Sequence, residues 1–298
     1  MAKTIAVLGA TGRVGHVLVE QLLVAGVTVR AIGRSTDKLA VLASRGADPR
    51  VGQATEPRFL AESFRRVDGV FVMLPTDVRH PEPAAEARAL TDAAVAALQV
   101  GRVPRVVTLS SIGADRGERN GPIADLHNLE RRVNAIPGIH AVHLRAGYFF
   151  ENWMASIGLI RSTGVNGGGL APDLSVAMIA SRDIGVVAAS LLGNPTFTGQ
   201  RTRELQGPRH YTSREVSAIL GAAIQRPDLS YVQFPEPDVR QAFLSAGFSE
   251  AMADRYLEMI RGLNDGSIKP LEARSPATTT PTSLEEFARS VFAPAFGH

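Results

Sequence analysis

Gly9-Ala10-Thr11-Gly12-Arg13-Val14-Gly15 packs three glycines, a hydroxyl and a cation into a short stretch near the start of the chain. Glycine accepts the positive φ of a tight turn, and it lets a pyrophosphate reach the backbone where a Cβ would block the way. A helix starting near Arg13 would turn its unpaired N–H groups and partial positive charge toward the same anion. Gly9, Thr11, Gly12, Arg13, Val14 and Gly15 are therefore expected to hold the pyrophosphate of a dinucleotide. Glycines also mark ordinary turns, so the assignment rests on its flanks: an apolar strand before it, an amphipathic helix after it and a second strand soon beyond.

The end of that second strand selects the nucleotide. NAD would call for an acidic residue there, to accept hydrogen bonds from the ribose hydroxyls. This chain has Gly33-Arg34-Ser35, with Lys38 one helical turn later. A planar guanidinium suits a 2′-phosphate, which makes NADP(H) the expected coenzyme and Arg34 its clamp. Lys38 either adds a point charge or is a solvated surface residue.

Other candidates fall at later strand ends. Leu74 and Pro75 close the fourth strand and are expected to line the path from adenosine to nicotinamide. Ser110 and Ser111 close the fifth, at the carboxyl edge where open α/β sheets bind ligands. One of them could bond the nicotinamide or a substrate; strand-ending serines equally bond nearby backbone. His127 could donate a proton near neutral pH or serve as a satisfied structural histidine. The Tyr148 ring could flank a nicotinamide or planar acceptor, or pack in the core. Phe149, Phe150 and Trp153 read as an apolar wall or core.

Ordinary short-chain reductases pair a tyrosine with a lysine four residues on, which lowers the phenol pKa for proton donation. Four residues after Tyr148, Tyr211, Tyr231 and Tyr256 stand Asn152, Glu215, Pro235 and Ile260, and the only lysines are Lys3, Lys38 and Lys269. That pair is absent. No His, Asp and Glu cluster has metal-ligand spacing, and no G-x-S-x-G nucleophile elbow occurs. A conjugated acceptor can nevertheless take hydride directly, given two apposed rings in a dry cleft and a proton from water or a weak donor.

The elements that must position these residues alternate. Residues 4–8 form a short apolar run typical of a parallel strand buried on both faces. Val14, Leu18 and Leu22 recur at helical spacing, and Ala25-Gly26 ends that helix. Strands are expected at 27–32, 49–52, 70–74, 106–109 and 139–144, with helices at 37–44, 81–98 and 125–134. Thr55 is expected to cap a helix running to Phe64. Such alternation argues for a Rossmann-type, doubly wound parallel sheet with right-handed crossovers.

After Tyr148 the rhythm changes. Residues 164–169 contain four glycines and read as a mobile loop that helps shape the acceptor pocket. A helix over 183–192 is expected to return to the sheet. Thr212 and Glu215 have capping-box spacing before a helix to Ile224. Residues 231–234 suit a strand, 237–246 and 250–263 helices, 270–281 a Pro/Thr-rich connector and 284–292 a closing helix. The division expected is a nucleotide-binding unit over 1–155, rejoined by 176–200, and a smaller substrate lobe over 201–298 with the loop 156–175.

The chain has 298 residues, 45% of them hydrophobic and 20% charged, enough for a sizeable core. With no cysteine it can form neither a disulfide nor a thiolate site. The net charge of +3 comes from scattered arginines, with no dense basic run to track nucleic acid. Met1-Ala2-Lys3 leads straight into a strand, no membrane-length apolar run follows, and a cytoplasmic location is expected. Nothing in the pattern indicates an oligomer.

The glycine turn, Arg30-Ala31-Ile32-Gly33-Arg34 and Leu144-Arg145-Ala146-Gly147-Tyr148-Phe149-Phe150-Glu151-Asn152 together resemble the NmrA-like branch of the atypical short-chain dehydrogenase/reductases. His127 and Glu130 also fall where such proteins often carry a His and a Glu. The stretch from Thr278-Thr279-Thr280-Pro281 to Phe292 looks like the tail of the bacterial quinone reductases of this group. The resemblance implies an NADP(H)-binding domain with a small C-terminal lobe closing over a cleft. It also implies one of two activities, since members divide between reductases of quinones and dyes and NADP(H)-sensing regulators that act through a protein partner without turnover. A tailoring reductase or isomerase of secondary metabolism is a third reading. The expected activity is NADPH-dependent hydride transfer to a small conjugated acceptor.

Overall fold

The computed structural model describes residues 3–297, so Met1, Ala2 and His298 lie outside the described residues. Strand and helix alternate through β1 (Thr4–Leu8), α1 (Arg13–Val24), β2 (Thr28–Gly33), α2 (Thr36–Ala43), β3 (Asp48–Val51), α3 (Pro57–Ser63), β4 (Gly69–Val72), α4 (Pro83–Val100), β5 (Arg105–Ser111), α5 (Ile123–Asn134) and β6 (His140–Ala146). Then follow β7 (Tyr148–Phe149), a 3-10 stretch (Phe150–Ser156), α6 (Ile157–Thr163), β8 (Asn166–Gly168), β9 (Val176–Ile179), α7 (Ser181–Gly193), β10 (Gln200–Leu205) and β11 (His210–Tyr211). The chain closes with α8 (Ser213–Ala223), β12 (Tyr231–Gln233), α9 (Glu236–Ser245), α10 (Glu250–Asn264), α11 (Leu284–Phe287), a π turn (Ala288–Phe292) and α12 (Ala293–Gly297).

Seven strands form one sheet in the order β10-β6-β5-β4-β1-β2-β3, with every pairing parallel. The chain winds outward from β1 to β3, crosses back, and winds the other way from β4. This reversal leaves a crevice at the carboxyl ends of β1 and β4, where sheets of this kind bind ligands. Side chains alternate between the two faces, as the pleat requires. Ile5, Val7, Phe71, Val107, Val142 and Leu144 pack with α1, α2 and α7. Ala6, Leu8, Val70, Val72, Val106 and Ala141 pack with α3, α4 and α5. Burial on both faces explains why the strands read as continuous apolar runs.

A third core, apart from the two on the sheet, packs Phe150, Trp153, Tyr211, Tyr231, Phe287 and Phe292 together. Phe150 meets Tyr211 edge-on at 5.8 Å between ring centroids and Phe287 at 5.7 Å. The expected capping box of α8 is present in both directions, with Thr212 Oγ1 accepting from the Glu215 N–H and the Glu215 carboxylate accepting from the Thr212 N–H.

Several local expectations are corrected. Glu56, not Thr55, caps α3, and without a side-chain bond, because the proline that follows already supplies the helical φ. The glycines over 164–169 are not a free loop. Gly164 ends α6 in the left-handed conformation, and β8 pairs in parallel with β12. The polar segment Gln200–Leu205, which carried no strand expectation, is the edge strand of the main sheet beside β6. The closing helix is broken by the π turn after Phe287.

Candidate functional site

β1 ends at Leu8, and Gly9 turns the chain at φ +80°, a conformation costly to any residue with a side chain. A Cβ at Gly9 would also lie 2.4 Å from Met73 Sδ. Gly15, in the first turn of α1, faces the Gly9 carbonyl so closely that a Cβ would stand 2.1 Å from its oxygen. These contacts bring the helix start down onto the strand end. Gly12 is the N-cap; no side chain caps α1, and no acidic residue lies in its first turn. Backbone donors at Arg13 and Val14 are thus left facing the crevice, a cradle suited to a pyrophosphate.

Thr11 lies against Gly33 at the end of β2, its Oγ1 3.5 Å from where a Cβ would stand. The next residue, Arg34, is exposed, and Ser35 caps α2 through the Lys38 N–H at 3.3 Å. Neighbouring arginines are occupied: Arg30 and Arg50 pair with Asp48, and Arg45 with Glu20. Among the described residues, Arg13, Arg34 and Lys38 have no carboxylate within ion-pair distance. Arg13 within the turn and Arg34 next to Gly33 therefore place two free cations beside the glycine turn, while Lys38 is exposed in the first turn of α2.

From the crevice a cleft of about 310 Å³ runs along the ends of β4, β5 and β6. Leu74, Pro75, Ser110, Ser111, Tyr148 and Asn152 line it. The far wall comes from α10 through Met252, Tyr256 and Met259, with Asp125 of α5 at the floor. A second compartment of about 270 Å³ adjoins the first and shares Ser111, Ile123, Gly147, Tyr148 and Met259 with it.

The two serines have different partners. Ser110 Oγ donates to Glu130 Oε1 at 2.5 Å, and Arg145 holds the same carboxylate through Nε and Nη2, at 3.0 and 2.7 Å. Glu130 is only 5% exposed, so this is a buried and fully paired network. Ser111 Oγ donates to the Ile112 carbonyl at 3.0 Å. Each hydroxyl keeps lone pairs for an incoming donor.

Tyr148 is fixed by the pairing of β7 with β9, and its ring meets Trp153 edge-on at 6.3 Å. Its surface is half-buried between the two compartments. Burial pushes the phenol well above its ordinary value, the neighbouring Tyr231 and Tyr256 add to this, and Asn152 opposes it. The hydroxyl therefore stays protonated and available as a donor. Burial likewise raises Tyr256. The Asp125 carboxyl is raised by burial against the opposing pull of Arg255, which donates to it at 2.6 Å.

His127 stands apart from both compartments. Its Nδ1 lies 2.9 Å from the Ala114 carbonyl and its ring covers Gly117, so it braces the loop after β5. The 164–169 segment lines neither compartment; Gly169 packs instead toward Ile260 and Val239. The α10 wall was not foreseen, because nothing in its amphipathic pattern says which cavity it will close. Among the described residues there is no group of His, Asp and Glu able to hold a metal ion, and no helix is long and apolar enough to cross a membrane.

Comparison with known proteins agrees with this architecture. The chain is 30% identical over 257 residues to an NAD(P)H azoreductase of Xenophilus azovorans, covering 86% of this chain and 85% of that protein. It is 27% identical to quinone oxidoreductase 2 of Escherichia coli (strain K12), covering 89% of each. The crystal structure of the NADPH-dependent quinone oxidoreductase QOR2 from Escherichia coli, complexed with NADPH, superposes with a TM-score of 0.79 at 25% identity, over 97% of this chain and 99% of that one. The family model describing the NmrA-like family matches residues 1–288. This chain belongs to the NmrA-like family.

Proposed function

We propose that the protein is an NADPH-dependent reductase of small conjugated acceptors of the quinone type. The observation that carries this reading is the joining of two features at the sheet's switch point. A glycine cradle with the unpaired Arg13 and Arg34 beside it adjoins, through Met73, an apolar cleft with tyrosines on two walls. The names of the azoreductase and quinone oxidoreductase relatives support the same reading.

The residues present fit the coenzyme. Gly9, Gly12 and Gly15 leave the room that a diphosphate needs, while Thr11 and the N–H groups of Arg13 and Val14 supply donors. Arg34 takes the 2′-phosphate, with Arg13 and Lys38 adding positive potential nearby. Leu74 and Pro75 line the path toward the nicotinamide, and Ser110, oriented by Glu130, presents lone pairs to its carboxamide. When bound, the coenzyme supplies a hydride at its nicotinamide ring.

The rest falls to the chain itself. Phe149, Met252 and Met259 exclude water and hold an acceptor ring in place. Tyr148 keeps its proton and donates a hydrogen bond toward acceptor oxygen, without the lysine that an acid-base tyrosine needs. Ser111 bonds the acceptor from the strand end. His127 is assigned the bracing of the loop after β5 rather than a proton transfer.

The test is steady-state oxidation of NADPH with a panel of quinones and azo dyes, followed by the loss of reduced-nicotinamide absorbance. Turnover with at least one acceptor, preferring NADPH to NADH, is expected. Tight binding of both NADP+ and NADPH with no turnover of any acceptor would overturn the reading and point to a coenzyme sensor.

A further inference from the structure

The two compartments differ in their charges. The first, on the coenzyme side, carries the carboxyl groups of Glu86 and Asp125 and no cation. Lys269 is the only acidic or basic side chain lining the second. The remaining walls there are mostly apolar, with Ile112, Leu174, Val176, Leu263 and Ile268 among them. Tyr148 stands between the two spaces.

Lys269 is exposed, and its backbone is fixed on both sides. Ile268 before it is 5% exposed and wedges between Gly113 and Gly262, with its N–H donating to the Gly262 carbonyl at 2.8 Å. After Pro270, the N–H groups of Leu271 and Glu272 both donate to the buried Glu204 carboxylate, at 2.9 to 3.0 Å. The lysine stem is thus anchored at the second compartment, which Lys269 lines. It also has no ion-pair partner among the described residues. The arginines of the neighbouring helices are all engaged: Arg240 with Asp254, Arg255 with Asp125, and Arg261 with Glu236. A lone cation at the mouth of an apolar slot favours a ligand with an apolar body and an anionic end, and desolvation by the walls strengthens the attraction above its value in open water.

We propose that the acceptor is a conjugated ring carrying an anionic substituent, a carboxylate or sulfonate, and that Lys269 selects it. This rests on the reductase reading above. The reacting ring lies against Tyr148 in the first compartment, and the substituent extends through the second to the ammonium. Keeping the anion at this end also keeps it away from Glu86, which among the described residues has no cation paired with it.

The experiment uses menadione bearing a carboxyethyl arm and the methyl ester of the same compound, with the full chain and its Lys269→Ala and Lys269→Glu variants. The chain has no cysteine to consume a quinone by thiol addition, and Lys269 is exposed, so the substitutions leave the fold intact. The wild type is expected to prefer the acid, and the ratio of kcat/KM for acid over ester should fall about fivefold in Lys269→Ala, mainly through KM. It should fall further in Lys269→Glu, and added salt should erode the wild-type preference. An acid-to-ester ratio unchanged by both substitutions overturns the proposal. If neither compound is turned over, the reductase reading is decided separately by the wider quinone and azo-dye panel. The proposal is then decided by quenching of the single tryptophan, Trp153, which lies beside Tyr148. Equal dissociation constants for acid and ester from the NADP+-loaded wild type would overturn it, and a preference for the acid that Lys269→Ala abolishes would uphold it.

Discussion

Arg34, proposed to take the 2′-phosphate, is left free for that role by what surrounds it. Asp77, an acid that feels Arg34, is held below its ordinary range mainly by the Arg79 backbone N–H, with Arg34 the smallest contributor. The guanidinium is therefore not spent on an internal pair, and it stands where a ribose-binding carboxylate would otherwise be. Arg34→Ala should weaken NADPH binding by about 1.5–3 kcal/mol, the range for a lost charged hydrogen bond, and leave NADH binding nearly unchanged. Calorimetric titration with the two coenzymes checks this, and equal weakening of both would remove Arg34 from the 2′-phosphate. Glu130 makes the complementary case of a charge that is fully spent. It accepts from Ser110 and from Nε and Nη2 of Arg145, at a side-chain exposure of 6% against 13% for the arginine. Glu130→Gln keeps the shape and leaves a buried cation without its counter-charge, so urea unfolding should show a loss of about 3 kcal/mol. A loss under about 0.5 kcal/mol would mean that the network is wetter than its burial implies.

At the level of elements, what was legible in the chain is what local physics dictates. Apolar runs such as Ile5-Ala6-Val7-Leu8 give buried parallel strands, the glycine turn must precede a helix, and Thr212 with Glu215 caps α8 because both bonds are local. The edge strand β10 was invisible because Gln200, Arg201, Thr202 and Arg203 face solvent or half-buried surroundings, and the apolar run of a central strand is missing. The glycines of β8 hid a strand for the opposite reason, having no side chains to show alternation. At the site, the cradle and Arg34 could be read because each lies beside a strand end. The α10 wall could not, since Tyr256 and Met259 reach the cleft only through tertiary packing. Element packing also sets a pH dependence. His143 on β6 is fully buried, with Nδ1 2.8 Å from Thr108 Oγ1 on β5 and Nε2 2.9 Å from Asn134 Oδ1 at the end of α5. Burial pushes its pKa below the ordinary 6.5, with Glu130 opposing and Arg145 assisting. The unfolded chain binds a proton below about pH 6.5 that the folded chain refuses, so stability is full above that value and falls as the pH drops through it. The slope approaches about 1.4 kcal/mol per pH unit for this one group. Urea midpoints measured between about pH 7.5 and pH 5.5 should show the decline, and His143→Gln should flatten it.

The whole molecule is tied together by carboxylates placed between the seven-stranded sheet with its helices and the elements around the third core, the lobe. Glu151 accepts from the Ser181 N–H at 3.0 Å and from its hydroxyl, joining the 3-10 stretch to the start of α7. Glu204 on β10 holds the strap at Leu271 and Glu272. Asp183 on α7, 4% exposed, accepts from the Thr282 N–H at 3.0 Å and from Thr282 Oγ1 at 2.7 Å, pinning the segment that leads into α11. These bonds cross from sheet to lobe, so the lobe cannot lift away without stranding buried donors. Thermal unfolding should accordingly be one cooperative transition, with near- and far-ultraviolet dichroism changing together. Asp183→Ala strands two donors of Thr282 and removes one tie, and should cost about 2–4 kcal/mol for the pair. Pairing that substitution with Thr282→Val separates two explanations. If the tie is what matters, the double variant should be little less stable than Asp183→Ala alone, because the hydroxyl left without a partner has gone as well. Two additive losses would show that Asp183 and Thr282 do not act as one tie, and probes that melt at different temperatures in the wild type would show that sheet and lobe unfold as separate units.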